Sequence, residues 1–271
     1  MAGSIGRRVI LGIYALLIIV PLFVVLSGSF KSTKQLFDAP FAPPSSLSPG
    51  NYRAVLTDAS MATAFVNSTV VTLSAVVITL AVGSLAAYGL ARIPGWRGMV
   101  VYGFLVLGMA VPAQSNMIPQ YVLFQSLGLL DSRIGLVLIE IVATLPVAVF
   151  IMTGFMRTLP RELFEAGSID GAGPWRTYRS IALPVSVPSL AATAIFLFVI
   201  QWNDLLYPLL FIHDPAKTTL PLALLNFQGE FLTNYPLLFT GVIVASAPLV
   251  VAYVFLQRYF VAGITAGSVK G

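Results

Sequence analysis

Glu140 and Asp204 are carboxylates set in otherwise apolar sequence of a 271-residue chain. Ionisable groups in such surroundings are costly to keep and usually face a polar interior, a proton relay or a solute pathway. Amides accompany them: Asn67, Gln114, Asn116, Gln201 and Asn203 also stand in stretches nearly free of charge. Amide and carboxylate groups bind hydroxyl-rich solutes through hydrogen bonds. The candidate lining of a translocation pathway is therefore Asn67, Gln114, Asn116, Glu140, Gln201, Asn203 and Asp204. The same groups equally serve to satisfy one another, hold helix ends or meet an external partner.

A second polar feature runs from Arg157 to Pro184. Seven of the chain's 25 Asp, Glu, Lys and Arg residues lie there: Arg157, Arg161, Glu162, Glu165, Asp170, Arg176 and Arg179. Pro160 suits a first helical turn, Glu162 and Glu165 fall where the helix dipole favours anions, and Leu163, Ala166 and Ile169 recur at spacing three on one face. Gly171-Ala172-Gly173-Pro174 breaks that helix, and Pro174 starts a second whose Trp175, Tyr178 and Ile181 share a face. The spacing predicts a helix-turn-helix pair outside the bilayer.

Absences narrow the chemistry. With no cysteine there is no disulfide framework, thiolate metal site or Cys nucleophile. The four lysines, at 31, 34, 217 and 270, lie in no phosphate-binding G-x-x-x-x-G-K-[ST] loop, so ATP hydrolysis is not assigned to this chain. His213 is the sole histidine and lacks a companion for a triad or a metal site. Asn67-Ser68-Thr69 matches a glycosylation sequon, discounted at a membrane boundary.

The elements that must position these groups are membrane spans. Charged residues are 9% of the chain, the apolar fraction is 58% and the mean hydropathy is +0.92, which excludes an ordinary water-soluble domain. A pI near 9.6 reflects basic loops at a membrane better than affinity for nucleic acid. The N-terminal apolar run, 9–29, is too long for a signal-peptide core and no small-residue cleavage site follows, so it reads as a retained span. Further spans are expected at 63–91, 99–119, 134–156, 185–212 and 236–257, making one polytopic all-α transmembrane domain over 1–271, with 30–62 an exposed loop carrying a short helix near 51–56. At 1.5 Å per residue, Glu140 and Asp204 would lie roughly 9 and 12 Å below the outer ends of their spans. Prolines 112, 119, 146, 208 and 248 favour kinks in spans three to six.

Six spans put both termini on one side. With the N-terminus inside, Arg7, Arg8, Arg92, Arg97, Arg157, Arg161, Arg176, Arg179, Arg258 and Lys270 are inner, while Lys31, Lys34, Arg53, Arg133 and Lys217 are outer. That asymmetry follows the positive-inside rule and makes the 157–184 loop cytoplasmic.

The order Glu165-Ala166-Gly167, then Asp170-Gly171-Ala172, then Ile181-Ala182-Leu183-Pro184, placed between the fourth and fifth spans, resembles the cytoplasmic "EAA" loop of ABC importer permeases. Asn67-Ser68, Trp202-Asn203-Asp204 and the ending Gln257-Arg258-Tyr259 through Ala266-Gly267-Ser268-Val269-Lys270-Gly271 extend the likeness to the smaller permease of maltose- or trehalose-type carbohydrate importers. One departure is Gly167, where the motif has its second alanine; glycine costs a helix interior roughly 1 kcal/mol.

The resemblance implies a type I ABC importer permease fold in the bacterial cytoplasmic (inner) membrane. It implies a second permease subunit, two ATPase subunits and an extracytoplasmic sugar-binding protein as partners. No cofactor is then bound by this chain; ATP and Mg2+ sit on the ATPase subunits. Glu162, Glu165, Ala166, Gly167, Asp170, Gly171, Ala172 and Pro184 would form the coupling loop, and Gly267, Ser268, Val269 and Lys270 would reach the ATPase. The alternatives are a proton-coupled secondary carrier using Glu140 and Asp204, for which six spans without an evident repeat are few, and a membrane enzyme, for which no nucleophile or metal-ligand set is present.

Overall fold

A computed structural model describes residues 2–227 and 233–268, with side chains described for 6–227 and 233–255. Its elements are helical. Among the described residues, four helices are long and apolar enough to cross a membrane: α1 (Ala2–Gly28), whose apolar segment is Gly6–Gly28; α4 (Ala59–Arg92); α7 (Arg133–Met156); and α14 (Tyr235–Ser268), through Phe255. Two bent pairs bring the total to six if each counts as one span.

The first bent pair stands where the third span, with kinks favoured at Pro112 and Pro119, is expected at 99–119. It joins Gly95–Ala110, comprising α5 (Gly95–Val106) and a 3-10 turn, to Ala113–Ser126, a second 3-10 turn and α6 (Met117–Ser126), at 88°. Pro112 explains the corner: the residue before a proline is pushed out of the helical region, and Val111 is extended at φ −91° and ψ 113°. Gln114 and Asn116 consequently sit in a turn.

The second bent pair joins 174–185 to α11 (Val187–Trp202) at 73°. Within it α9 (Pro174–Thr177) runs into a π-turn at Tyr178–Ala182 and then α10 (Leu183–Val185). Pro184 has no N–H to give, and the backbone N–H of Leu183 skips to the Tyr178 carbonyl. The expected continuous span 185–212 is likewise interrupted. The helix stops at Trp202, residues 203–205 are non-helical, and α12 (Leu206–Phe211) follows.

The chain divides into two compact units, Met1–Phe65 with Thr219–Ala247, and Val66–Thr218 with Pro248–Gly271. In the first, α2 (Thr33–Asp38) begins with a reciprocal capping box of Ser32 and Gln35, and α3 (Gly50–Thr57) occupies the place of the helix expected near 51–56. Between them, residues 39–49 are exposed apart from the half-buried Ala42 and Pro44. Lys31 is buried, and its Nζ donates to the carbonyls of Ala39, Pro40 and Ala42 at 2.9, 3.2 and 2.6 Å. The Asn51 amide donates to the Ser29 and Lys31 carbonyls at 2.8 and 3.0 Å, and α13 (Leu220–Leu224) and the start of α14 belong to the same unit.

The second unit is built on α4, α7 and α11. Val76, Ala87, Tyr88, Ala148, Met152, Met156, Tyr178, Ala182 and Leu197 form its buried cluster. Small residues permit the close approach expected of membrane helices: a Cβ on Gly83 would fall 2.8 Å from the Met152 side chain and 3.1 Å from Ala148 Cβ. At 34 residues, α4 measures roughly 50 Å, longer than the hydrocarbon layer.

Candidate functional site

The polar handle folds as α8 (Arg161–Ile169), a turn, and the α9 segment. Pro160 stands just before the helix as its cap residue, and Glu162 occupies the first turn. Gly171, at φ +73°, ends it: its N–H bonds the Ser168 carbonyl at 3.1 Å and the Ala172 N–H bonds the Gly167 carbonyl at 2.9 Å. This paired closure needs a left-handed residue, which glycine adopts freely. Pro174 then opens α9 at its first turn.

α8 carries two faces, and they differ in fate. Phe164 and Gly167, three apart, turn inward: Phe164 packs under the Arg92 guanidinium, 5.3 Å from its ring, while a Cβ on Gly167 would meet Ile181 Cδ1 at 2.7 Å. Leu163, Ala166 and Ile169 turn outward, with Ile169 86% exposed. Glu162, Glu165 and Asp170 are exposed beside them, Ala172 is half-buried and Pro184 exposed. The sequence set Leu163, Ala166 and Ile169 on one face without fixing which way it turns; Phe164, three residues before Gly167, was not singled out.

Tyr178 anchors the second half. Its hydroxyl bonds that of Ser84 at 2.8 Å, and the Tyr88 hydroxyl donates to the Pro174 carbonyl at 3.2 Å. Both phenols lie in the buried cluster, so the turn between α8 and α9 is tied to the end of α4. The rings of Trp175 and Tyr178 meet at a tilt with centroids 5.4 Å apart, yet Trp175 remains exposed, so the face predicted for Trp175, Tyr178 and Ile181 is only partly covered.

At the far end of α7, about 16 residues or roughly 24 Å away, Glu140 and Asp204 stand side by side within hydrogen-bonding reach. Gln201 is buried, and its amide donates to Thr144 Oγ1 at 2.9 Å; Thr144 Oγ1 donates to the Glu140 carbonyl at 2.6 Å. Asp204 Oδ1 accepts from the Leu206 N–H at 3.2 Å and Oδ2 from the Tyr207 N–H at 3.1 Å, which starts α12 after the helix break. Gln120 on α6 reaches the Tyr207 hydroxyl. Glu140, Gln201 and Asp204 are thus brought together, with Thr144, Tyr207 and Gln120 as members that sequence spacing did not single out.

The other candidates lie elsewhere. Asn67 is fully buried and donates to the carbonyls of Ala216 and Thr218 at 3.0 and 2.9 Å, so it holds the 215–218 turn against α4. Asn203 is exposed and donates to the Val199 carbonyl at 2.8 Å, closing α11. Gln114 is exposed and Asn116 half-buried in the corner of the first bent pair. Gly267 and Ser268 continue α14; Val269 and Lys270 lie outside the described residues.

A charged clasp secures the segment beyond α12. Asp131, at φ +52°, accepts at Oδ1 from the N–H groups of Asp214 and His213 at 2.9 and 3.1 Å, and pairs with Lys217 Nζ at 3.3 Å. These donors, Asp214 N–H foremost, hold the Asp131 carboxyl below its ordinary value. Asp214 and Asp131 in turn raise the Lys217 ammonium above its ordinary value.

Residues 79–266 match the family model for "Binding-protein-dependent transport system inner membrane component". The chain is 33% identical over 279 residues to the diacetylchitobiose uptake system permease protein NgcG of Streptomyces coelicolor, covering 99% of this chain and 92% of that protein. It is 35% identical over 268 residues to the multiple sugar-binding transport system permease protein MsmG of Streptococcus mutans, covering 97% and 96%. The trehalose transport system permease protein SugB of Mycobacterium tuberculosis is 34% identical over 262 residues, covering 95% and 93%. The fold is similar to a chain in the crystal structure of a bacterial ABC transporter involved in the import of the acidic polysaccharide alginate, at a TM-score of 0.84, 23% identity and 96% coverage of both chains.

Proposed function

The chain belongs to the family of binding-protein-dependent transport system inner membrane components, with the all-α type I permease fold, and from that premise we propose that it carries a sugar or oligosaccharide in an ATP-driven importer. The relatives are named for diacetylchitobiose, trehalose and multiple sugars, which supports a carbohydrate cargo here. The partners are a second permease subunit, two ATPase subunits carrying ATP and Mg2+, and an external sugar-binding protein. The proton-coupled carrier gains no support from this family.

The observation that carries the coupling role is the outward stripe of α8. Leu163, Ala166 and Ile169 leave apolar surface exposed, most of it at Ile169, flanked by the carboxylates of Glu162, Glu165 and Asp170. An apolar helix face framed by charge suits a groove on a partner protein. In the importer that partner is the ATPase, and both termini and α8 face the cytoplasm, as the distribution of Arg and Lys supports.

Work then passes from α8 inward by contact. Gly167 against Ile181, Phe164 beneath Arg92 and the Tyr178–Ser84 bond tie α8 to α4 and to the α9 segment. ATPase closure would move these elements as one body and reorient the spans for alternating access. Glu140 and Gln201 are buried in this conformation, so their contact with sugar hydroxyls, beside Asp204, would follow reorientation of the spans, while Asn67 and Asn203 serve the scaffold.

Reconstitution of the assembled complex with Glu165→Lys tests the coupling role. ATP-dependent sugar uptake is expected to be abolished while the chain inserts normally. Unchanged uptake would sink the assignment.

A further inference from the structure

A cleft of about 740 Å³ opens where α4 ends, α5 begins and α8 starts, all within the second unit. Its lining is cationic and aromatic: Arg92, Arg157 and Arg161 contribute three guanidinium groups against one carboxylate, Glu165, with Tyr88, Trp96 and Phe164 beside them. Among the described residues none of the three arginines pairs with a carboxylate. Arg92 is instead held by aromatic rings, 5.3 Å from those of Tyr88 and Phe164, and donates to the Tyr88 hydroxyl. Arg157 lies 4.6 Å over the Tyr102 ring. Stacked guanidinium groups are already ordered, and their forked donors match the oxygens of a phosphate.

One wall of the cleft continues as exposed apolar surface. Trp96 and Met99 line it, and with Val100 and Phe104 they follow helical spacing along one side of α5, exposed by 69, 67, 58 and 76%. The juxtaposition is a cationic chamber opening onto an apolar stripe, with an indole at the junction where interfacial tryptophans sit.

We propose that this cleft binds the headgroup phosphodiester of an anionic glycerophospholipid, whose acyl chains lie along Trp96, Met99, Val100 and Phe104. The charge excess selects an anionic over a zwitterionic lipid, because each Arg near a headgroup adds to the attraction and Glu165 offsets only one. The bound lipid bridges the end of α4 and the start of α8, so it tightens the handle onto α4. The assignment does not depend on the cargo or on the ATPase.

The test is native mass spectrometry of the full chain, purified with whatever subunits accompany it in mild detergent, after addition of phosphatidylglycerol or phosphatidylcholine. One retained phosphatidylglycerol per copy is expected, with little phosphatidylcholine. The triple variant Arg92→Gln, Arg157→Gln, Arg161→Gln is expected to lower retention about tenfold or more, in line with the loss of three charge contacts. The matching Arg→Lys variant keeps the point charges but loses the forked, ring-stacked donors, and is expected to retain an amount between that of the native chain and that of the Gln variant. Equal retention of the two lipids, or no change in the Gln variant, would overturn the proposal. So would a Lys variant as poor as the Gln variant, since positive charge would then contribute nothing to retention. Displacement by millimolar inorganic phosphate would assign the cleft to a free anion, and exclusion of lipid by a bound subunit would assign it to an interface; either overturns the lipid assignment.

Discussion

Gly167 and Ile181 meet so closely that a Cβ on the glycine would lie 2.7 Å from Ile181 Cδ1. The alanine of the family motif is therefore replaced by glycine where α8 lies against the π-turn. Two effects of Gly167→Ala oppose each other: alanine favours the helix by roughly 1 kcal/mol, and a terminal methyl must shift to admit it. A near-neutral change in thermal stability is expected in detergent. Gly167→Leu has no such escape and should cost about 1–3 kcal/mol by overpacking, with a parallel fall in ATP-dependent uptake.

Ile169 is the most exposed part of the α8 stripe, at 86%. Ile169→Glu should leave the melting temperature of the isolated chain unchanged, since surface substitutions usually stay within about 0.5 kcal/mol. ATPase co-purification should fall at least tenfold. Retention of the ATPase at the native level would refute docking through this face.

Asn67 donates two hydrogen bonds to the 215–218 turn from a fully buried position. Asn67→Leu leaves the Ala216 and Thr218 carbonyls without that donor, at a cost of about 1–3 kcal/mol. Thermal unfolding and hydrogen exchange of the turn would register this. A loss of uptake without any loss of stability would instead give Asn67 a direct role with the solute.

Glu140 and Asp204 form a contact that joins α7 to the break before α12. Glu140→Gln keeps a side chain of the same shape able to hydrogen-bond Asp204, and assembly and stability should persist. Glu140→Leu removes the partner and should cost about 1–3 kcal/mol. Binding of sugar by the Gln variant, measured as uptake against sugar concentration, separates a solute contact from a scaffold role.

The clasp at Asp131 carries a pH signature. Its carboxyl is lowered by the N–H groups of Asp214 and His213 and by Lys217, so its stabilisation is complete above the ordinary carboxylate value near 4 and disappears as pH falls through the lowered one. Lys217 is raised, so its contribution is complete below its ordinary value near 10.4 and is lost only as pH rises through the raised one. Hydrogen exchange at residues 213–218 should therefore be flat from about pH 5 to 9 after correction for intrinsic rates, and protection should fall below about pH 4. Asp131→Asn should abolish the acid step.

The sequence made the spans and the handle legible for a simple reason: apolar runs and clustered charge are properties of consecutive residues. The breaks were less accessible. Pro112 marked a kink, but the 88° corner also needed 3-10 turns on both sides. Span five looked continuous because Asn203, Asp204 and Leu205 carry no glycine or proline, yet Asp204 spends its carboxylate on capping α12. Amides also look alike in sequence whether they face a solute or a carbonyl. Asn67 and Gln201 acquire different roles only through partners more than 50 residues away, Ala216 and Thr218 for one and Thr144 for the other.

The three carbonyls that surround Lys31 Nζ also make its amine a poor target for acylating reagents. Lys34, three residues on, is exposed and should label readily. The ratio of labelling at these neighbouring lysines is thus an internal gauge of whether the 29–52 segment is folded, read on the unmutated protein and independent of transport.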